Sequence, residues 1–502
     1  MSLARTLCRA ASGVAAPQVT IETHLANGLP GMSIVGLPEK AVQESRDRVR
    51  CALQNSGFEV PKRRITIHLA PADLPKQGSR FDLAIAVGIL IASGQLPQPA
   101  AGELELYGEL ALSGELRPVA GILPAALAAQ TAGHSIVLHP DNLAEAGLIE
   151  DLTLYPVSHL LSLGAHLRGQ TPITPATSQP MMSATRDLPD LIEVRGQEHA
   201  KRVLEIAAAG QHNLLMIGPP GTGKSMLAHR LPGLLPVMTR TEALEAAAIA
   251  SVAGYPPDPA CWRQRPFRAP HHTCSGVALV GGGGHPKPGE ISLAHHGVLF
   301  LDELPEYDNR VLDTLREPME NGTITISRAA RSATYPARFQ VVAAMNPCRD
   351  GYYGDGSQRC QCTPDQVRQY QSRISGPLRD RIDLQIQVPV PRYDDLFGET
   401  PVGESSAVVR QRVQVAWECQ QQRQGHSNAL LSGSRLETCC RLESSDQHLL
   451  ARAVEQLGLS ARAYHRILRV ARSIADLAAS DMIQRAHLTE AISYRQLDRH
   501  PI

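Results

Sequence analysis

Leu214-Leu-Met-Ile-Gly-Pro-Pro-Gly-Thr-Gly-Lys-Ser225 decides the fold. Its four leading apolar residues, Leu214 to Ile217, have the length and character of a strand buried on both faces of a parallel sheet. A loop with three glycines and two prolines follows, then Ser225-Met-Leu-Ala-His-Arg, which has helical character. Gly218, Gly223, Lys224 and Ser225 fit the phosphate-loop spacing G-x-x-x-x-G-K-S/T. Glycines let backbone N–H groups close on phosphate oxygens, and the helix N-terminus adds its positive dipole end. The whole run Gly218, Pro219, Pro220, Gly221, Thr222, Gly223, Lys224 and Ser225 is therefore assigned to ATP binding. Lys224 is expected to reach the β- and γ-phosphates, and the Ser225 hydroxyl to hold Mg²⁺.

Working outward, the second diagnostic stretch is Gly297-Val-Leu-Phe-Leu-Asp-Glu303. Val298 to Leu301 suits a central strand. Asp302 and Glu303 emerge at its C-terminal end, where open α/β sheets bind ligands. Asp302 is expected to hold Mg²⁺ through water, and Glu303 to polarise the attacking water. A third strand reads Phe339-Gln-Val-Val-Ala-Ala-Met-Asn346. Before it, the Thr-Ile-Thr-Ile alternation after Gly322 predicts one arm of a hairpin, with Arg328 and Arg331 near its tip in an acid-free run from Thr323 to Phe339. Arginines there would pair with nucleic-acid phosphates; the plainer alternative is a basic surface hairpin.

The flanking segments read differently. Residues 1–168 mix period-two runs (Val19-Thr-Ile-Glu-Thr-His, Ile65-Thr-Ile-His-Leu) with helical patterns over Glu39–Ser56 and Phe81–Ser93, which predicts a separate α/β domain. Residues 169–190, rich in Pro, Ser and Thr, read as a linker, and 191–392 as the nucleotide-binding core. Residues 393–502 read as helical, with helices at Ser405–Gln424, Leu450–Leu457, Ala461–Ala479 and His487–Leu497.

Composition sets limits. Lys+Arg and Asp+Glu are both 49, so contact with nucleic acid must come from a local basic patch. No signal peptide and no apolar run approaching the roughly 18 residues of a membrane helix is seen. Ten cysteines are too dilute for a disulfide scaffold, which with the ATP site predicts a cytoplasmic protein. Cys348, Cys360 and Cys362 suggest zinc, because Cys-x-Cys supplies two thiolates to one ion. Asp350, two residues after Cys348, offers an oxygen ligand for the fourth position, and the zinc question stays open.

The phosphate loop, Val298 to Glu303, Asn346, Arg381 and Arg462 occur in an order that resembles AAA+ ATPases. With Pro266-Phe-Arg-Ala-Pro-His-His-Thr, Gly289-Glu-Ile-Ser-Leu-Ala-His and Ala344-Met-Asn-Pro-Cys, the chain resembles their magnesium-chelatase-like branch, in particular the YifB/ComM group. The resemblance implies an α/β class. It comprises an AAA+ P-loop core with a parallel sheet, a C-terminal helical lid, and an N-terminal α/β Lon-protease-like (ribosomal S5 domain 2-like) domain without catalytic residues. Against the Lon pattern, Arg80 takes the nucleophile's place, Ser79 stands one position early and Leu123 takes the lysine's place, so a packing or DNA-handling domain is expected.

The same resemblance assigns roles residue by residue. Val194 and Gln197 are implied to lie near the adenine, and Asn346 to hold the lytic water as sensor 1. Arg381, with Arg379 second, is implied to be an arginine finger acting on the neighbouring subunit, worth up to about 10³ to 10⁵ in rate. Arg462, with Arg466 one turn on as runner-up, is implied to be sensor 2; by periodicity alone either arginine is a solvated face. The hairpin with Arg328 and Arg331 is implied to project into a central channel, and Pro266–Pro288, with His271, His272 and Gly281 to Gly284, to line it. A hexameric DNA motor or helicase is implied, promoting branch migration during recombination of incoming DNA in natural transformation. The alternatives are a chelatase-type motor that remodels a protein or inserts a metal, and an ATP-gated scaffold.

Overall fold

The computed structural model describes residues 3–99, 104–176, 188–258, 260–284, 286–328, 331–356, 358–391, 403–495 and 497. They form two compact units: residues 1–185 with 247–262, and residues 186–246 with 263–502. Residues 247–262 thus group with the first unit, not with the nucleotide-binding segment in which sequence order placed them.

The first unit is built on a seven-stranded mixed sheet, in the order Gly31–Val35, Arg64–Ala70, Gln18–Ala26, Leu3–Arg9, Leu104–Leu106, Ser135–Leu138, Leu154–Pro156. Gln18–Ala26 alternates strictly, burying Val19, Ile21, Thr23 and Leu25 while the intervening residues face outward, which pins its register against both antiparallel neighbours. Helix Asp82–Ala92 is buried along its whole length, as a helix apolar all round must be. Lys40–Asn55 buries one stripe, Val42, Ser45, Val49, Ala52 and Leu53. At the Lon-like positions, Ser79 bonds the Glu109 carboxylate and the Arg80 guanidinium donates to the Ala120 carbonyl at 2.6 Å. Leu123 is fully buried. These three do not make a nucleophile and its base. Of the expected linker, Ala176 N–H donates to Leu154 O at 2.8 Å; residues 177–187 lie outside the described residues.

The second unit holds a five-stranded parallel sheet, ordered Phe267–Arg268, Val298–Leu301, Gln340–Met345, Leu214–Ile217, Leu384–Gln387. The three middle strands are buried at every residue, so their apolar runs do not alternate. Helix Glu198–Gly210 and the C-terminal helices Ser406–Gln424 and Ala461–Leu477 share one apolar core with this sheet, from Leu191 to Tyr494. The sheet and the helical region therefore pack as one body; the expected boundary at 392/393 falls at residues 392–402, outside the described residues. Polar ties reinforce this packing: Ser406 Oγ accepts from Leu191 N–H at 2.7 Å, and Gln420 Nε2 donates to Ala209 O at 3.0 Å. Among the described residues, no helix is long and apolar enough to cross a membrane.

Candidate nucleotide site

Three adjacent parallel strands end at one place. Ile217 pairs with Met345, and Leu301 with Ala343, so the phosphate loop, Asn346 and Asp302–Glu303 all leave the same sheet edge. Gly218 must be glycine: a Cβ there would fall 2.2 Å from the Val388 carbonyl oxygen. Gly221 and Gly223 take φ of +80° and +87°, a region that L side chains rarely adopt. The loop then turns directly into helix Lys224–Arg230.

Lys224 is buried, and its Nζ donates to Gly218 O at 2.7 Å, Pro219 O at 2.9 Å and Asn346 Oδ1 at 3.2 Å. Burial pulls its pKa down, while the charges of Asp302 and Glu303 pull the other way. Ser225 Oγ donates to Asp302 Oδ2 at 2.6 Å. A hydroxyl and a carboxylate side by side are the hard oxygen donors that Mg²⁺ takes, so these residues fit the ion and Lys224 fits a phosphate. Glu303 has a φ of +51° and is half exposed, with Oε2 3.0 Å from His272 Nδ1. Thr222 Oγ1 closes the loop on Pro219 O at 2.9 Å. Gln197, also left-handed at φ +58°, donates through Nε2 to Pro389 O at 2.9 Å and to Thr222 O at 3.5 Å, and Val194 is buried in the same unit.

The arginines are placed differently. Arg381 is buried, with Nη1 donating to Pro377 O at 2.6 Å and Nη2 paired with Glu320. Arg379 is half-buried and donates to Gln371 O at 3.2 Å. Arg462 is exposed on the first turn of helix Ala461–Leu477, whose N-cap Ser460 accepts from Ala463 N–H at 3.2 Å. Arg466 instead pairs with buried Asp383 at 2.6 Å. Burial alone would raise the Asp383 pKa, but Arg466 and His212 outweigh it and hold the carboxyl well below its usual range.

The hairpin is present as two arms, Thr323–Arg328 and Arg331–Pro336, in register from Thr323↔Pro336 to Arg328↔Arg331. Ile324 and Ile326 are buried, while Thr325 and Thr334 face outward with their hydroxyls 3.1 Å apart. The side chains of Arg328 and Arg331 lie outside what the structure describes. Pro266–Pro288 forms strand Phe267–Arg268, helix Gly276–Val280 and a short ladder of Gly281–Gly282 with Lys287–Pro288. Cys348, Cys360 and Cys362 bring their sulfurs together.

Local patterns could not show the partners of these groups. His272 against Glu303, Glu320 against Arg381 and Asp383 against Arg466 are each set by the fold. Gly218 was legible as a loop glycine, but the carbonyl that demands it belongs to a distant strand end.

The chain is similar to known proteins along its whole length. Residues 190–396 match the family model described as magnesium chelatase, subunit ChlI. Residues 21–142 match subunit ChlI of Mg-chelatase, and 403–495 match the ChlI C-terminal model. The chain is 52% identical to the YifB protein of Salmonella typhimurium over 99% of its own length and 98% of that protein. It is 51% identical to competence protein ComM of Haemophilus influenzae, again covering 99% of this chain and 98% of the relative. The DNA replication licensing factor mcm7-B of Xenopus laevis is 27% identical over 41% of this chain and 24% of its own. By full-length similarity and by the nucleotide site just described, the chain belongs to the YifB/ComM family of magnesium-chelatase-like AAA+ ATPases.

Proposed function

We propose that this protein is an ATP-hydrolysing, ring-forming DNA motor that promotes branch migration while incoming DNA recombines in natural transformation. The observation that carries the reading is the convergence of Lys224, Ser225, Asp302, Glu303 and Asn346 at one sheet edge, with Lys224 bonded to Asn346 and Ser225 to Asp302. Lys224 holds the terminal phosphates, Ser225 and Asp302 hold Mg²⁺, Glu303 activates water and Asn346 orients it. Mg²⁺ supplies charge neutralisation on the phosphate oxygens when bound. Arg381 reaches the phosphate of the neighbouring subunit once it leaves Glu320, and Arg462 contributes from the lid. Arg328 and Arg331 grip the DNA backbone. The competence name of the Haemophilus relative and the replication name of the Xenopus protein favour DNA as the partner.

The test is ATPase turnover with and without single-stranded or branched DNA, together with unwinding of a forked or three-stranded substrate. DNA-stimulated turnover with strand displacement is expected. Turnover indifferent to DNA would favour the second reading, a chelatase-type motor acting on a protein or inserting a metal, which the three ChlI family models support.

A further inference from the structure

Among the described residues, two clusters outside the phosphate loop could hold a metal ion: Glu245 with His295 and His296, and Cys348 with Cys360 and Cys362. Hydrogen bonding decides against the first. His295 Nδ1 accepts the Arg338 backbone N–H at 2.9 Å, so in the neutral ring the proton sits on Nε2, which faces Glu245 Oε2 at 3.3 Å. That nitrogen is a donor and has no lone pair for an ion.

The cysteine cluster has the opposite chemistry. Cys348 Sγ lies 3.5 Å from Cys360 Sγ, and all three sulfurs fall within 4.8 Å of one another. Tetrahedral zinc with Zn–S near 2.3 Å requires sulfurs about 3.8 Å apart, whereas a disulfide needs about 2.05 Å. The observed spacing is therefore close to that of ligands around a shared ion. Asp350 lies beside the three sulfurs, outside their group: its Oδ2 accepts at 3.0 Å from the N–H of Gln361, the residue between Cys360 and Cys362, and it is the carboxylate that would close the set.

We propose that Cys348, Asp350, Cys360 and Cys362 bind one zinc ion in a closed, structural site of three thiolates and one carboxylate. Soft thiolates select zinc over the hard cations that suit the nucleotide site. The four ligands leave no open position for catalysis. Binding releases the thiol protons to solvent and needs no redox partner.

The site clips the end of the sensor strand Gln340–Met345 to helix Pro364–Gln371, whose start is closed by a reciprocal Thr363–Gln366 capping box. The clipped loop abuts the phosphate loop, since a Cβ on Gly351 would lie 3.0 Å from Pro220 Cδ. Zinc thus fixes the wall against which Pro220 and Asn346 rest.

The experiment is elemental analysis of the full-length protein purified without chelator in reductant. About one zinc per chain is expected. The double variant Cys360→Ser with Cys362→Ser should fall below about 0.1 per chain, with its fold checked by circular dichroism. Cobalt exchanged into the wild type should show the visible bands of a tetrahedral thiolate complex, and Asp350→Cys should strengthen them. Asp350→Ala should give up the ion to a chelator about 10-fold more readily. Zinc at background in the wild type, even after incubation with zinc under reducing conditions, would overturn the proposal without bearing on the motor. So would undiminished zinc in the double variant, or a Cys348–Cys360 disulfide as the main species. Cobalt bands indifferent to both Asp350 variants would strike Asp350 from the ligand set.

Discussion

Lys224 and Glu303 bring opposite charge to the same sheet edge, and their removal should look different. Lys224→Ala takes away the phosphate clamp and should abolish both tight ATP binding and hydrolysis. Glu303→Gln keeps the shape but not the base, so ATP binding should persist while turnover falls by about 10² to 10⁴. Equilibrium binding of a labelled nucleotide beside steady-state ATPase separates the two. These residues were legible because spacing along one strand, one loop and one helix start defines them. Asp383 was not: its partner Arg466 stands 83 residues away on another element. Arg466→Ala should strip that buried carboxylate of its arginine, leaving it His212 and the Asn213 N–H, and cost about 3–5 kcal/mol, read by chemical denaturation. Because folding lowers the Asp383 pKa, its stabilisation is fully present above the unfolded value of 3.8 and is lost as pH falls below it towards the folded one. Asp383→Asn should flatten that acid limb while lowering stability at neutral pH.

At the scale of elements, the hairpin tests the DNA reading. Its Thr-Ile-Thr-Ile alternation put two isoleucines on one face, and both are buried. Arg328→Ala with Arg331→Ala removes the two guanidinium groups nearest the turn and leaves that apolar face untouched. DNA binding should weaken and the slope of log affinity against log salt should shallow by roughly 1.5, while basal ATPase is unchanged. Unaltered affinity across a salt series would rule the hairpin out as a DNA contact. Helix limits show where periodicity runs out. Apolar spacing predicts a start at Leu450, yet the helix begins at Ser444, because its first turn is polar and repeats nothing. The last helix starts at Arg485, where Gln484 and His487 cap each other, and ends at Ser493. Capping chemistry, not hydrophobic period, fixed that start.

At the scale of the whole molecule, the proposed finger rests on Arg381. Within one subunit its guanidinium is occupied by Glu320 and the Pro377 carbonyl. A finger acting between subunits predicts complementation. Lys224→Ala lacks a working site but keeps its finger, and Arg381→Ala keeps the site but lacks the finger. Each should be inactive alone, and a mixture should recover part of wild-type turnover. A mixture as dead as its parts would sink the trans assignment, and the same pairing with Arg379→Ala tests the second arginine. The parallel sheet and its active edge were legible because buried apolar runs and loop chemistry are local. The grouping of residues 247–262 with the first unit was not, because it depends on contacts far away in the chain.

Val388 accepts no side chain above it: its oxygen occupies the space a Cβ on Gly218 would need, and its own N–H is tied to Ile217 O at 2.7 Å. The next carbonyl, of Pro389, is held by Gln197. The backbone leaving the last strand of the sheet thus braces the bed of the phosphate loop directly, so any shift of that strand end bears on the cradle. Gly218→Ala would force these two backbones apart and open the cradle even where every other loop residue is kept.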